Sequence, residues 1–221
     1  MIGYGFDGDS WHYPPFIALE LAHGDLDGLV RFERQPTISI ETRCHLLGDI
    51  ASALDAIHQV GLIHGDLKPA NVLVFKEISR WVAKLSDFGS STGAGRSGNG
   101  FGGRGTVGWR APELRRHHEA GHVLDPLLLD RLDSYSFGLM AWFLFCSQSA
   151  DFLRLTEEDD ALDFALTALH SQHTTLSENL VSALEHLFRA TLALEPPSRT
   201  TELSCLLSRF PNNQESQDPE T

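Results

Sequence analysis

Asp66 and Lys68 stand two residues apart in the run His64-Gly65-Asp66-Leu67-Lys68-Pro69-Ala70-Asn71, and Asp87-Phe88-Gly89 follows further along the chain. A carboxylate and an ammonium so close together, on a stretch that Pro69 keeps out of a helix, can point into one small volume. Acid and cation then face the same reacting oxygen. Asn71 offers a neutral amide oxygen and Asp87 a charged one, a donor set that suits magnesium better than zinc, because a hard cation prefers oxygen and keeps several of its waters. An acid to orient the attacking group, a cation beside the moving group and two oxygen ligands for magnesium are what phosphoryl transfer from a nucleotide requires. A polar turn between a helix and a strand would use the same residue types, but has no need of all of them at these fixed offsets.

The flanking sequence supplies elements able to hold these residues. From Glu41 to Val60 the apolar positions Leu47, Ile50, Leu54 and Ile57 recur at spacings of three and four, which predicts a helix running directly into the catalytic-type loop. Asp133 to Ser147 is almost wholly apolar and reads as a helix buried on all sides. Its longest apolar run, Phe137 to Cys146, is much too short to cross a bilayer. Thr156 to His170 and Leu176 to Leu194 also have helical periodicity; acidic residues in the opening turn of the first suit the helix dipole, and Pro196 and Pro197 stop the second. Thr200 to Phe210 is expected to form a last short helix, and 211–221 a disordered polar tail.

Composition narrows the partners. The 221 residues carry 30 acidic against 17 basic side chains, a net charge of -13. Such a surface repels nucleic acid and anionic membranes, so neither is expected as a partner. The start, MIGYGFDGDS, has no basic region and no apolar stretch, and does not resemble a secretory signal. Cys44, Cys146 and Cys205 are odd in number and widely spaced, which suggests neither a disulfide framework nor a zinc site; buried thiols and a cytoplasmic location are expected. His117, His118 and His122 lie in a polar stretch and read as surface residues rather than metal ligands. One domain is expected at this length.

In this setting the chain resembles the eukaryotic protein kinase family, with its motifs in the family's order. ALDAIHQVGLIHGDLKPANVLV resembles the end of a helix, the catalytic loop and a strand. VAKLSDFG resembles the next strand and the magnesium loop, GTVGWRAPE (Gly105 to Glu113) the close of the activation segment, LDSYSFG (Leu132 to Gly138) the start of the central helix, and EPPSRTT (Glu195 to Thr201) the last motif. The resemblance implies an α+β, protein kinase-like fold whose carboxy-terminal lobe is mainly helical with one short hairpin. It implies ATP and Mg2+ as cofactors and a protein serine or threonine hydroxyl as acceptor. Asp66 would be the catalytic carboxylate, Lys68 would steady the transferred phosphoryl, and Asn71 and Asp87 would hold magnesium. Phe16 to Ala22 is similar to the strand that runs into the hinge, with Leu19 at the gatekeeper position, the main-chain groups of Glu20 and Ala22 as adenine contacts and Leu73 beneath the base. Asp25 or Asp27 would reach the ribose, or serve as ordinary solvated acids. His64 and Phe88 would stack behind the site, Asp133 would bind the catalytic-loop backbone, and Glu113 would pair with Arg199. Small-molecule phosphotransferases of the aminoglycoside and choline kinase type also read His-Gly-Asp here, but Lys68, Ala111-Pro112-Glu113 and Arg199 favour the protein kinases.

Two features depart from the family. Gly65 stands where most protein kinases carry an arginine that meets a phosphorylated activation loop, so loop phosphorylation is not expected to be the switch. The segment from Gly89 to Gly108 is dense in glycine and is expected to be mobile. The other departure is that only fifteen residues precede Phe16. Residues 1–15 are expected to be irregular, Gly3 and Gly5 being a coincidental pair, and 16–210 to form the hinge and carboxy-terminal lobe of a kinase domain. The family's glycine-rich loop, strand lysine and helix glutamate are then missing. This leaves two expectations: a truncated kinase inactive by itself, or a pseudokinase-like interaction module whose exposed floor is covered by a protein partner.

Overall fold

The structure is a computed structural model and describes residues 2–6, 15–32, 38–93, 105–114, 124–146, 160–171 and 175–211. The expectations for His117, His118 and His122, for most of the glycine-rich segment, for the start of the helix predicted from Thr156 and for the tail beyond Pro211 lie outside the described residues.

Two short strands open the chain. β1 (Gly3–Phe6) and β2 (Pro15–Ala18) pair antiparallel, with Tyr4 opposite Ile17 and Gly5 opposite Phe16. The expectation that residues 1–15 are irregular is corrected here for Gly3–Phe6. Period-2 alternation of glycine with Tyr4 and Phe6 is a strand pattern, and the bare face of Gly5 lets the Phe16 ring lie against it, 2.9 Å from where a Cβ would sit. β3 (Gly24–Asp25) leads into α1 (Leu26–Phe32), where the Asp25 carboxylate accepts a 2.7 Å hydrogen bond from Gly28 N.

α2 (Ile40–Gln59) is the long helix that delivers the chain to the site. Ser39 caps it, its hydroxyl accepting from Thr42 N at 3.1 Å, and Leu46, Leu47, Ile50 and Leu54 bury the face predicted from their spacing. Next come β4 (Leu62–Ile63), β5 (Val72–Lys76), β6 (Trp81–Leu85) and β7 (Thr92–Gly93). β3, β5 and β6 make one antiparallel sheet in that order, and β4 pairs with β7. The β5–β6 hairpin is fastened to α2 by Asp49, which forks to the Arg80 guanidinium and accepts from Ala83 N at 2.9 Å.

α3 (Asp130–Cys146) is the centre of the molecule: every residue from Leu132 to Cys146 is buried. An all-round apolar helix can only sit inside, with others laid around it. α4 (Ala161–Ser171), α5 (Glu178–Thr191) and α6 (Leu203–Leu206) follow, interspersed with 3-10 turns. Gly138 fixes the approach of α3 to α5, since a Cβ there would lie 2.3 Å from Thr191 Oγ1 and 2.9 Å from Leu192 Cγ. The Asp55 carboxylate on α2 caps α6 by accepting from Leu203 N and Ser204 N at 3.0 and 2.9 Å, which ties the end of the domain to its first long helix. Among the described residues no helix is long and apolar enough to cross a membrane.

The cysteines divide. Cys44 and Cys146 are buried, but Cys205 is exposed, which corrects the expectation of three buried thiols; α6 is short and shows its outer side to solvent. Burial, with the Glu41 carboxylate adding to it, pushes the Cys44 thiol up to about 11. Burial pushes Cys146 up to about 12, against the pull of the nearby Arg43 guanidinium. The folded state therefore holds these two protons more tightly than an unfolded chain, whose thiols titrate near about 8.5. Their contribution to stability is complete below that pH and is lost as pH rises toward about 11 and about 12. Two measurements check this: the urea midpoint should fall between pH 8 and pH 10.5, and iodoacetamide at pH 8 should label Cys205 while sparing Cys44 and Cys146 in the native protein.

Candidate functional site

The loop between β4 and β5 is held from behind by one side chain. Asp133, in the first turn of α3 and 1% exposed, accepts from His64 N at 2.8 Å and from Gly65 N at 2.9 Å, while His58 Nε2–H donates to its Oδ2 at 2.8 Å. A buried carboxylate is tolerable only when its oxygens are so occupied. The loop takes the required shape because Gly65 adopts φ 78, a left-handed conformation that costs glycine little. Gly65 O also lies 3.2 Å from where a Cβ on Gly105 would sit, so the 105–110 segment packs directly on the loop. His64 is fully buried; its Nε2–H donates to Ser86 O at 3.0 Å and its ring packs 5.2 Å from that of Phe88.

On the front of the loop three of the sequence-derived residues meet. Asp66 Oδ2 accepts from Lys68 Nζ at 2.9 Å and from Asn71 Nδ2 at 3.1 Å, and Asn71 Nδ2 also donates to Asp66 O at 2.8 Å. Asp66 Oδ1 accepts from Thr106 N and Thr106 Oγ1 at 2.7 and 2.8 Å, and Lys68 Nζ donates to Thr106 Oγ1 at 2.6 Å. A carboxylate, an ammonium and a hydroxyl thus share one volume, and the charge-assisted bonds fix the direction of each.

Asp87 stands at the same end of the β5–β6 hairpin as Asn71. The last ladder pair is Val72 with Leu85, and Ser86 N donates to Asn71 O at 2.9 Å just beyond it. Asp87 has φ 59 and ψ 66, an uncommon conformation for a residue with a side chain, and its carboxylate accepts from Gly89 N at 3.3 Å. Asn71 and Asp87 offer the oxygen donors that magnesium prefers. Both Asn71 Nδ2 bonds are spent on Asp66, which turns the amide oxygen elsewhere, and the exposed Asp87 carboxylate has no other donor among the described residues.

The nucleotide side is more open. The main-chain groups of Glu20 and Ala22 make no described hydrogen bond, although the next residue is fixed by His23 N donating to Val74 O at 3.0 Å. The Glu20 carboxylate accepts from Lys84 Nζ at 2.5 Å, joining this stretch to β6 beside half-buried Leu73, which faces Lys84 across the ladder. Leu19 is 64% exposed. Asp25 and Asp27 have local duties, the first at the start of α1 and the second paired with Arg31 at 2.7 Å.

The 111–113 segment is pinned by the expected pair. Arg199 is wholly buried and forks to Glu113 at 2.6 and 2.9 Å, while its remaining donors reach Ala193 O, Leu194 O and Arg131 O and its guanidinium lies 4.8 Å from the Tyr135 ring centre.

Two participants were not assigned these parts from sequence. Thr106 lies in the stretch that resembles the close of the activation segment, and nothing local connects it to a carboxylate forty residues away. His58 sits in the last turn of a helix read for its apolar face, and its link to Asp133 spans 75 residues.

With this geometry in view, the comparisons with known proteins are consistent among themselves. The model of the protein kinase domain family matches residues 9–210. Receptor-interacting serine/threonine-protein kinase 3 of Rattus norvegicus is 33% identical over 64% of the chain, covering 29% of its own length. Serine/threonine/tyrosine-protein kinase HT1 of Arabidopsis thaliana is 28% identical over 85% of the chain and 44% of its own. Serine/threonine-protein kinase/endoribonuclease IRE1 of Oryza sativa subsp. japonica is 27% identical over 90% of the chain and 22% of its own. The chain spans less than half the length of each of these three relatives. It belongs to the eukaryotic protein kinase family.

Two stability measurements follow from the anchors. Asp133→Ala strands the His64 and Gly65 amides without an acceptor and should cost about 3 kcal/mol or more by urea unfolding, with Asp133→Asn milder. A value near zero would mean that the loop is held by something else. Glu113→Ala leaves a buried guanidinium unpaired and should cost about 3–5 kcal/mol, whereas the double change Glu113→Leu with Arg199→Met should recover much of that loss.

Proposed function

We propose that residues 16–210 act as the hinge and carboxy-terminal lobe of a serine/threonine protein kinase, which transfers the γ-phosphoryl of ATP to a protein hydroxyl. The observation that carries this is the meeting of Asp66, Lys68, Asn71 and Thr106 on one side of a loop fixed from the other side.

In this reading Asp66 is the catalytic carboxylate. Its Oδ1 already accepts from a threonine hydroxyl, so an incoming serine or threonine hydroxyl finds an acceptor placed to orient it and take its proton. Lys68 offsets charge developing on the transferred phosphoryl. Asn71 and Asp87 are the magnesium ligands, and bound magnesium would screen the phosphate charge and hold the triphosphate for in-line attack. Glu20 and Ala22 present main-chain groups to adenine, with Leu73 as the floor. Gly65 removes the arginine that would answer a loop phosphate, so the loop depends on Asp133 for its shape. The named serine/threonine kinases among the relatives support the acceptor class, as does the Lys68–Thr106 contact.

A partner is proposed on a separate observation. Ile2, Tyr4, Ile17 and Leu19 share one face of the β1–β2 hairpin and are 64–79% exposed, an apolar surface that a protein body would cover. A kinase domain that needs such a cover would be slow by itself, and the pseudokinase-like reading differs from it only in the absence of nucleotide binding. A cytoplasmic location remains part of the proposal.

The purified chain should bind ATP in a magnesium-dependent manner by calorimetry, and Asp87→Asn should abolish that dependence. Where phosphoryl transfer is measurable, Asp66→Asn should lower it by about 10²–10⁴-fold with little change in nucleotide affinity. Equal and undetectable binding by wild type and Asp87→Asn would sink the enzyme reading in favour of the scaffold.

A further inference from the structure

We infer that Ser86 is a positioning residue whose hydroxyl locks Asn71 and Asp87 in register, so that one amide oxygen and one carboxylate can serve the same divalent cation. This rests on the magnesium reading given above.

The geometry is unusually complete for a half-buried serine. Its N–H and its Oγ–H both donate to the one carbonyl of Asn71, each at 2.9 Å. Its own carbonyl accepts from His64 Nε2–H at 3.0 Å. That ring nitrogen carries the hydrogen because His64 Nδ1 accepts from Asp66 N, so the chain of contacts runs back to the residue that orients the acceptor. Ser86 therefore touches the metal-ligand residue Asn71 on one side and is joined by a peptide bond to the other, Asp87.

The need for such a lock lies in Asp87. At φ 59 and ψ 66 it occupies a left-handed conformation that residues with a Cβ adopt only when their surroundings hold them there. On its carboxy-terminal side the turn is already held: Gly89 N donates to its carboxylate at 3.3 Å, the Phe88 ring packs on His64 and Ser91 N donates to Phe88 O at 3.0 Å. On its amino-terminal side the sheet ladder has ended at Leu85. One main-chain bond from Ser86 would leave the peptide free to swivel about it; the hydroxyl makes a second attachment to the same oxygen and removes that freedom. Asp87 then keeps its carboxylate at the Asn71 end of the hairpin before any ion arrives.

The test uses the whole chain with Ser86→Ala, Ser86→Thr and Asp87→Asn. Amide hydrogen exchange across 87–89, measured without metal, should quicken about tenfold in Ser86→Ala and stay near wild type in Ser86→Thr, with global unfolding midpoints alike. Manganese(II) binding in the presence of ATP, read by water-proton relaxation, should weaken about tenfold in Ser86→Ala, recover in Ser86→Thr and vanish in Asp87→Asn. Unchanged exchange and manganese affinity in Ser86→Ala, with Asp87→Asn still defective, would overturn the role of Ser86 and leave the metal site standing. Equal losses in Ser86→Ala and Ser86→Thr would overturn it too, since packing and not the hydroxyl would then matter. Absence of manganese binding by wild type would overturn both.

Discussion

The Asp133 carboxylate is the fixed point of the molecule. It lies in the first turn of a helix buried along fifteen consecutive residues, Leu132 to Cys146, and it accepts from two successive main-chain amides of the functional loop and from His58 at the end of the helix that precedes it. Charge is expensive inside a protein unless it is fully engaged. Here that expense has a use, because the same bonds that satisfy the carboxylate dictate where the loop backbone can be. The loop leaves its rear to Asp133 and presents Asp66, Lys68 and Asn71 from the other side.

Polar anchors of this kind recur wherever an irregular segment must be held still. Arg199 is fully buried and spends its donors on Glu113 and on three carbonyls, holding the 111–113 segment against the helical body. Asp49 and Asp55, both on α2, fasten the β5–β6 hairpin and the start of α6. Buried ion pairs add little net stability compared with apolar packing, but they accept only one geometry. Helices supply the bulk of the core, and these few carboxylates decide where the loops lie upon it. Gly138 performs the complementary service by absence of a side chain, letting α5 come close enough to α3 for the core to close.

In the proposed kinase reading, function on this scaffold is a matter of positioning. The chemistry of phosphoryl transfer asks the protein for charges of correct sign at correct places and for little else. The Asp66 carboxylate with its four donor contacts, the neutral amide of Asn71 turned by two bonds, and the strained Asp87 at the mouth of a hairpin are each directed by their neighbours before any ligand is considered. Residues 9–210, which include all of them, match the protein kinase domain family.

Much of this was legible in the sequence because the decisive information is local. Asp66, Lys68 and Asn71 lie within six residues, helix periodicity placed Leu47, Ile50 and Leu54 on one buried face, and an apolar run from Phe137 to Cys146 could only be a central helix. Family resemblance added the long-range pairs of Asp133 with the loop and Glu113 with Arg199. What chain order alone could not supply were contacts made by residues with no local signature. Thr106 reaches Asp66 because Gly105, lacking a side chain, packs against the Gly65 carbonyl and lets two loops touch. His58 looks like any polar residue on a helix until Asp133 is beside it, and the pairing of Gly3–Phe6 with Pro15–Ala18 depends on a partner strand across an intervening segment. Cys205 is exposed because α6 is short and peripheral. Residue types and spacing determined which chemistry is available; close packing decided which groups meet to perform it, since a hydrogen bond depends on distances in space that sequence separation does not encode.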